Sequence, residues 1–204
     1  DVAVKTISYD EISPDDLADV KSRFFREAEA AGKLSHPNIV TIYDVGEDHD
    51  IAYIAMELLE GETLASRLRE EGRLPPEEAL PLARQMAEGL EAAHRVGVVH
   101  GDFKSGNVML AEDEAEPGGV RVAVADFGLA RGELATDAFA EVSKDEDKMV
   151  VGTPAYMAPE QVQAGKIEPP ADVYALGIVF YEMLTGKLPF TGETPLELAM
   201  KRLE

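Results

Sequence analysis

The stretch His100-Gly101-Asp102-Phe103-Lys104-Ser105-Gly106-Asn107-Val108-Met109-Leu110 decides how the rest of the chain is read. It sets a carboxylate, an ammonium and a side-chain amide within six residues, with β-favouring valine and leucine close by. Asp102 and Asn107 lie five positions apart, a spacing that suits phosphoryl transfer. Asp126-Phe127-Gly128 follows 19 residues after Asn107, behind the apolar run Val120 to Ala125. The two patches predict a shared chemistry, in which Asn107 and Asp126 hold Mg²⁺ while Asp102 faces the hydroxyl that attacks a phosphoryl group. Ala158-Pro159-Glu160 is a third mark in the same order.

The bulk composition narrows the field. The 204 residues suffice for one large domain or two small lobes, and 45% apolar content supports real cores. Forty acidic against 19 basic residues give a formal charge of −21. That argues against a nucleic-acid or anionic-membrane partner, either of which needs a basic face. Cysteine is absent, which excludes disulfides, thiolate metal sites and cysteine nucleophiles. No apolar run reaches the roughly 20 residues that span a bilayer. The N-terminus lacks a basic-then-apolar leader pattern, so the expected location is cytoplasmic.

Upstream of the deciding stretch, Val2-Ala3-Val4-Lys5 alternates like a strand. Ser13-Pro14-Asp15-Asp16 reads as a helix start, with Leu17, Val20, Phe24 and Ala28 at helical spacing and Gly32 as the stop. Glu27 lies on that helix and is placed to pair with Lys5. Ile39 to Val45 and Ile51 to Leu58 read as two strands joined by a polar turn over Gly46 to Asp50. His36 and His49 read as turn residues, since no metal-ligand spacing surrounds them. Met56 to Gly61 reads as a connector whose backbone meets an adenine edge, with Ala3 and Met56 supplying apolar contact.

Thr63 should cap a short helix to about Glu71. Pro75-Pro76-Glu77-Glu78 opens a longer one, in which Pro81 predicts a late start or a kink, and Gly97 ends it. His100 reads as a packing residue. Ala111 to Gly119 reads as a flexible surface turn, and Leu129 to Val151 as a long polar segment of the kind that is functional. Asp172 should start a helix over Val173 to Thr185, apolar on nearly every side and therefore buried all round. Thr194-Pro195 starts another.

These residues together resemble a eukaryotic-like serine/threonine protein kinase of the kind found in bacteria. The resemblance runs over almost the whole chain and rests on Val2 to Lys5, Glu27, Met56 to Leu59, the His100 to Asn107 loop, Asp126-Phe127-Gly128, Ala158-Pro159-Glu160 and Asp172. It implies an α+β fold: a bilobal protein-kinase-like arrangement of a small antiparallel-sheet lobe, residues 1–61, and a mainly helical lobe, residues 62–204. It implies ATP and Mg²⁺ as cofactors and proteins with Ser or Thr acceptors as partners, and leaves room for a kinase dimer. By the same resemblance, Asp102 orients the acceptor hydroxyl and takes its proton, and Lys104 steadies the γ-phosphate. Asn107 and Asp126 ligate the metal. Lys5, partnered by Glu27, holds the α- and β-phosphates. Ala3, Met56, Glu57, Leu59 and Met109 surround the adenine. Thr153 lines the acceptor site, and Asp172 braces the catalytic loop from below.

The chain departs from that pattern in three ways. The family's Gly-rich loop belongs before Val2, and the end of the helical lobe belongs after Glu204, so a fragment is expected. Gly101 stands where the family usually has an arginine that receives a phosphate, while Asp145-Glu146-Asp147 lies shortly before Gly152. Activation independent of phosphorylation at Thr136 or Ser143 is therefore expected, with a merely solvated acidic run as the alternative. Finally, His100-Gly101-Asp102 with Asn107 also resembles aminoglycoside and choline phosphotransferases. Those lack a long segment ending in Ala158-Pro159-Glu160. A nucleotide-binding scaffold without turnover is the other alternative, and the presence of Lys5, Asp102, Asn107 and Asp126 speaks against it.

Overall fold

The computed structural model describes residues 1–9, 12–13, 17–116, 118–127, 155–163, 166–192, 194–201 and 203. Strand β1 (Val2–Ser8) alternates between exposed and half-buried positions, so that Ala3, Lys5 and Ile7 share one face. It pairs antiparallel with β3 (Ile51–Glu57), which pairs with β2 (Ile42–Asp48) to give a three-stranded sheet in the order β1-β3-β2. Helix α1 (Leu17–Ala31) lays Phe24 and Ala28 against Tyr9, Ala52 and Ile54, which makes a small core for this sheet. The Gly32 amide donates to the Ala28 carbonyl at 2.8 Å, as a stop at that glycine predicts.

The hairpin differs from the expectation. Strand β2 begins at Ile42 rather than Ile39 and runs through Gly46 to Asp48, so the turn is only His49-Asp50. His49 takes the left-handed conformation (φ 53°) that a two-residue hairpin demands. Gly46 stays in the strand because the Tyr53 ring lies over it. A Cβ there would come within 2.6 Å of the Tyr53 hydroxyl. The register slips between Ile42 and Asp44, and Tyr43 is exposed at that bulge.

The remainder is mainly helical. Strand β4 (Gly61–Thr63) leads into α2 (Leu64–Glu71), whose Ser66 amide donates to Thr63 Oγ1 at 3.1 Å, the expected cap. Helix α3 (Pro76–Arg95) starts at its first proline and continues through Pro81, so the late start is not seen. So near the N-terminus, Pro81 forfeits only one ladder bond, and the buried stripe Leu82, Met86, Leu90 and Ala93 holds the helix regardless. Strands β5 (Val108–Glu112) and β6 (Val120–Val124) form a second antiparallel sheet with β4 in the order β4-β5-β6. The short helix α4 (Pro159–Val162) precedes α5 (Pro169–Thr185), which is followed by α6 (Pro195–Met200).

Helix α5 begins three residues earlier than expected, because its two prolines occupy the first helical turn where a missing N–H costs nothing. It is not buried all round: Val173 (61% exposed) and Tyr181 (45%) lie on an open face. Its other face packs Ile178, Val179 and Met183 into the main core with α3. Gly186 closes the helix in the left-handed conformation.

One buried amide knits the two parts together. Asn38 Nδ2 donates to Gln85 Oε1 and to the Val122 carbonyl, both at 2.9 Å, and its own carbonyl accepts from the Val124 amide at 2.9 Å. The approach is possible because residue 89 on α3 is glycine, where a Cβ would sit 2.8 Å from the Asn38 carbonyl oxygen.

Candidate functional site

Residues 100–107 turn back between α3 and β5, and a single carboxylate shapes the bend. Asp172 at the start of α5 is 1% exposed. Its Oδ2 accepts from the His100 amide at 2.8 Å and its Oδ1 from the Gly101 amide at 2.7 Å. The His94 ring adds Nε2 to Oδ2 at 2.7 Å. The bracing role inferred for Asp172 is thus visible as hydrogen bonds. Gly101 has φ 72°, a conformation in which glycine is unstrained.

His100 is fully buried, with ring centroids 5.5 Å from Phe103 and 4.7 Å from Phe127. Its Nε2 lies 3.0 Å from the Ala125 carbonyl, which can only accept, so Nε2 carries the proton and Nδ1 is free to accept from the Asp102 amide at 3.3 Å. Burial holds its pKa below the ordinary histidine value despite the nearby carboxylates of Asp172, Asp102 and Asp126. The packing role read from the sequence holds, and the ring additionally links the loop 100–107 to the strand end before Asp126.

The charged residues form a bonded chain. Lys104 Nζ lies 2.6 Å from Asp102 Oδ2. Asn107, 7% exposed, donates from Nδ2 to the Asp102 carbonyl at 3.0 Å, and its own carbonyl accepts from the Ala125 amide at 2.9 Å. The next residue, Asp126, has φ 60°, a strained conformation for an aspartate. Its Oδ1 lies 3.0 Å from Lys5 Nζ, across from β1. Lys5, Asp126, Asn107, Asp102 and Lys104 are therefore brought together. Asn107 spends Nδ2 on the loop, which turns Oδ1 away from that bond, and Asp126 retains 35% side-chain exposure. Two oxygen donors of this kind fit Mg²⁺, which takes one or two protein ligands and fills the rest with phosphate and water. Among the described residues no group of three or more His, Cys, Asp or Glu is placed to hold a metal by itself.

The apolar candidates lie on the strands or just after one. Ala3 and Met56 stand opposite each other in the β1–β3 register. Met109 lies on β5 opposite Ala123, and Leu59 follows the end of β3. A pocket with about 310 Å³ of empty space, solvent at its mouth included, is lined by Ala31, Val40, Ile42, Ile54, Met56, Val124, Ala125, Asp126 and Phe127, and so takes in Met56 but not Ala3, Leu59 or Met109. Glu27 sits on α1 three residues after Phe24, but its side chain lies outside the described residues, as do Gly128, Thr136, Ser143, Asp145 to Asp147 and Thr153.

Some contacts were not read from the sequence. Glu57, expected to matter through its backbone, has a side chain clamped by Arg121: Nη1 to Oε1 at 2.6 Å and Nη2 to Oε2 at 3.2 Å. Arg121 Nε also donates to the Pro37 carbonyl at 2.7 Å. The guanidinium holds the Glu57 carboxyl below its usual range. No linear signal joins residues so far apart. Tyr156 and Gln161 also reach the loop 100–107, at Ser105 and Gly101. For Gln161 a signal did exist, since glutamine at the third position of α4 is half of a capping box.

An antiparallel-sheet lobe whose strand lysine ion-pairs with a carboxylate of the helical part, above a braced Asp102 loop, defines the protein-kinase-like class. The chain belongs to the protein kinase domain family, whose profile matches residues 1–204. It is 41% identical over 183 residues to the serine/threonine-protein kinase PknL of Mycobacterium tuberculosis, covering 90% of this chain and 43% of the relative. It is 38% identical over 204 residues to the serine/threonine-protein kinase PrkC of Bacillus subtilis, covering all of this chain and 29% of that protein. It is 37% identical over 211 residues to the serine/threonine-protein kinase PknB of Mycobacterium leprae, covering all of this chain and 31% of that protein. The chain thus spans less than half the length of these relatives. The expected α+β, kinase-like fold and the bacterial serine/threonine-kinase resemblance are both borne out. Among the described residues, no helix is long and apolar enough to cross a membrane.

Proposed function

We propose that this protein is an ATP-dependent serine/threonine protein kinase, with its lobes at residues 1–61 and 62–204. The observation that carries the reading is the bonded chain from Lys5 through Asp126, Asn107 and Asp102 to Lys104. Lys5 binds the α- and β-phosphates of ATP, with Glu27 as its partner. Ala3, Met56, Glu57, Leu59 and Met109 receive the adenine. The acceptor hydroxyl oxygen attacks the γ-phosphorus as the bond to the β–γ bridging oxygen breaks. Asp102 orients that hydroxyl and accepts its proton, and Lys104 balances charge on the transferring group. Asn107 and Asp126 would hold Mg²⁺, which when bound neutralises charge on the phosphates. The acidic surface favours protein substrates with basic surroundings and disfavours nucleic acid. The site of action is cytoplasmic, and a dimer of this kinase is the second partner.

Transfer of radiolabel from the γ-position of ATP to a generic protein tests the reading in the intact protein. Asp102→Asn should lower transfer by about a thousandfold and leave MgATP affinity within about twofold, because the aspartate acts on the acceptor. A variant retaining most of its activity overturns the role of Asp102. Binding of MgATP without transfer by the unsubstituted protein would instead establish a nucleotide-binding scaffold.

A further inference from the structure

Residues 155–163 touch the catalytic loop at both of its ends. Gln161, 5% exposed, accepts the Ala158 amide on Oε1 and donates from Nε2 to the Gly101 carbonyl, both at 2.8 Å. The amide orientation is fixed by chemistry, since the Ala158 N–H can only donate and the Gly101 carbonyl can only accept. At the other end, the Tyr156 hydroxyl donates to Glu182 Oε2 on α5 at 2.8 Å. Its oxygen is left to accept from Ser105 Oγ, 2.9 Å away and 1% exposed. Gly101 and Ser105 bracket Asp102 in sequence. Tyr156, Met157 and Gln161 line the same small cavity as Asp102.

We propose that Ser105 and Gln161 are positioning residues that register the 155–163 segment against Asp102, so that a protein acceptor is presented at the right distance. This rests on the kinase reading above. Ser105, Tyr156 and Gln161 are neutral and buried, and the carboxylate that anchors Tyr156 is the chain's own Glu182, so the registration is written into the fold and requires no added charge. Neither residue meets the nucleotide-binding groups, so their loss is felt on the acceptor side of the reaction.

Ser105→Ala in the intact protein should lower kcat/KM for a peptide acceptor by about tenfold, the worth of one buried hydrogen bond, and Gln161→Leu, which loses two, by at least as much. KM for MgATP should stay within about twofold. Gln161→Glu keeps the acceptor for Ala158 but loses the donor to Gly101. It should reproduce the defect, and it serves if the leucine variant does not fold. Combining Ser105→Ala with Tyr156→Phe should cost little more than Tyr156→Phe alone, since the phenylalanine already cuts the bond to Ser105 along with the one to Glu182. Equal losses for peptide and nucleotide, or unchanged peptide kinetics, would overturn the proposal. Amide hydrogen exchange gives a reading that does not depend on transfer. Exchange at Ala158 should quicken in Gln161→Leu while α3 stays protected, and unchanged exchange overturns the latch even if the protein proves not to be a kinase.

Discussion

Asp172 and Asp126 are both aspartates beside the same loop, yet the fold uses them in opposite ways. Asp172 is closed off: both oxygens are taken, by two backbone amides and the His94 ring, and 1% of the residue is exposed. Asp126 retains about a third of its side-chain surface, pairs with Lys5 of β1, and is held in a strained backbone conformation. A carboxylate saturated by the protein stiffens the protein. One that is aimed and left accessible can bind something else, and the strain at its backbone is the cost of aiming it. The contrast separates two ways of being essential, and each can be measured.

The largest stability effect should come from the closed carboxylate. Asp172→Ala leaves the buried His100 and Gly101 amides without acceptors and should cost about 3 kcal/mol of unfolding free energy in urea titrations. Asp172→Asn keeps one acceptor oxygen and should cost about half as much. Both should lower transfer, because the loop carrying Asp102 loses its anchor. An Asp172→Ala protein as stable as the unsubstituted one would break the comparison at its first term.

The open carboxylate should show the reverse profile. Asp126→Asn should weaken Mg²⁺-dependent nucleotide binding by about tenfold in thermal-shift or calorimetric titrations. Unfolding free energy should change by less than about 1 kcal/mol, since the Lys5 pair is more than one-third exposed on both sides. A large stability loss with unaltered nucleotide binding would make Asp126 a second structural brace and erase the distinction.

What the sequence disclosed follows the range over which each signal acts. The Thr63 cap, the stop at Gly32 and the Asp102-to-Asn107 spacing are local, and they were legible. So was the kinase-like fold, because ordered short motifs fix it. The Glu57–Arg121 clamp and the Ser105–Tyr156–Glu182 relay were not legible, since each joins residues that only the folded chain brings near. The misplaced turn at Gly46 has the same origin: glycine reads as a breaker, and only the Tyr53 ring across the hairpin explains why this one lies in a strand. The open face of α5 was misread because composition reports hydrophobicity and cannot say which side of a helix lacks a neighbour.

A last test separates burial from charge within the loop itself. His100 is surrounded by three carboxylates that favour its protonated form, yet burial dominates and lowers its pKa from the ordinary value of 6.5. A histidine with a depressed folded pKa is neutral in the native state and takes up a proton on unfolding. Stability is therefore full above about pH 6.5 and declines as the pH falls toward the folded pKa. Urea titrations at pH 7.5 and 5.5 should show lower stability at the acid value, a range in which Glu57, its pKa lowered by Arg121, stays ionised. His100→Phe retains an aromatic ring between Phe103 and Phe127. It should lower stability at both pH values, by losing the bonds to Ala125 and Asp102, and should flatten the difference between them. If the difference persists undiminished in that variant, the carboxylates rather than the buried ring set the acid sensitivity of the loop.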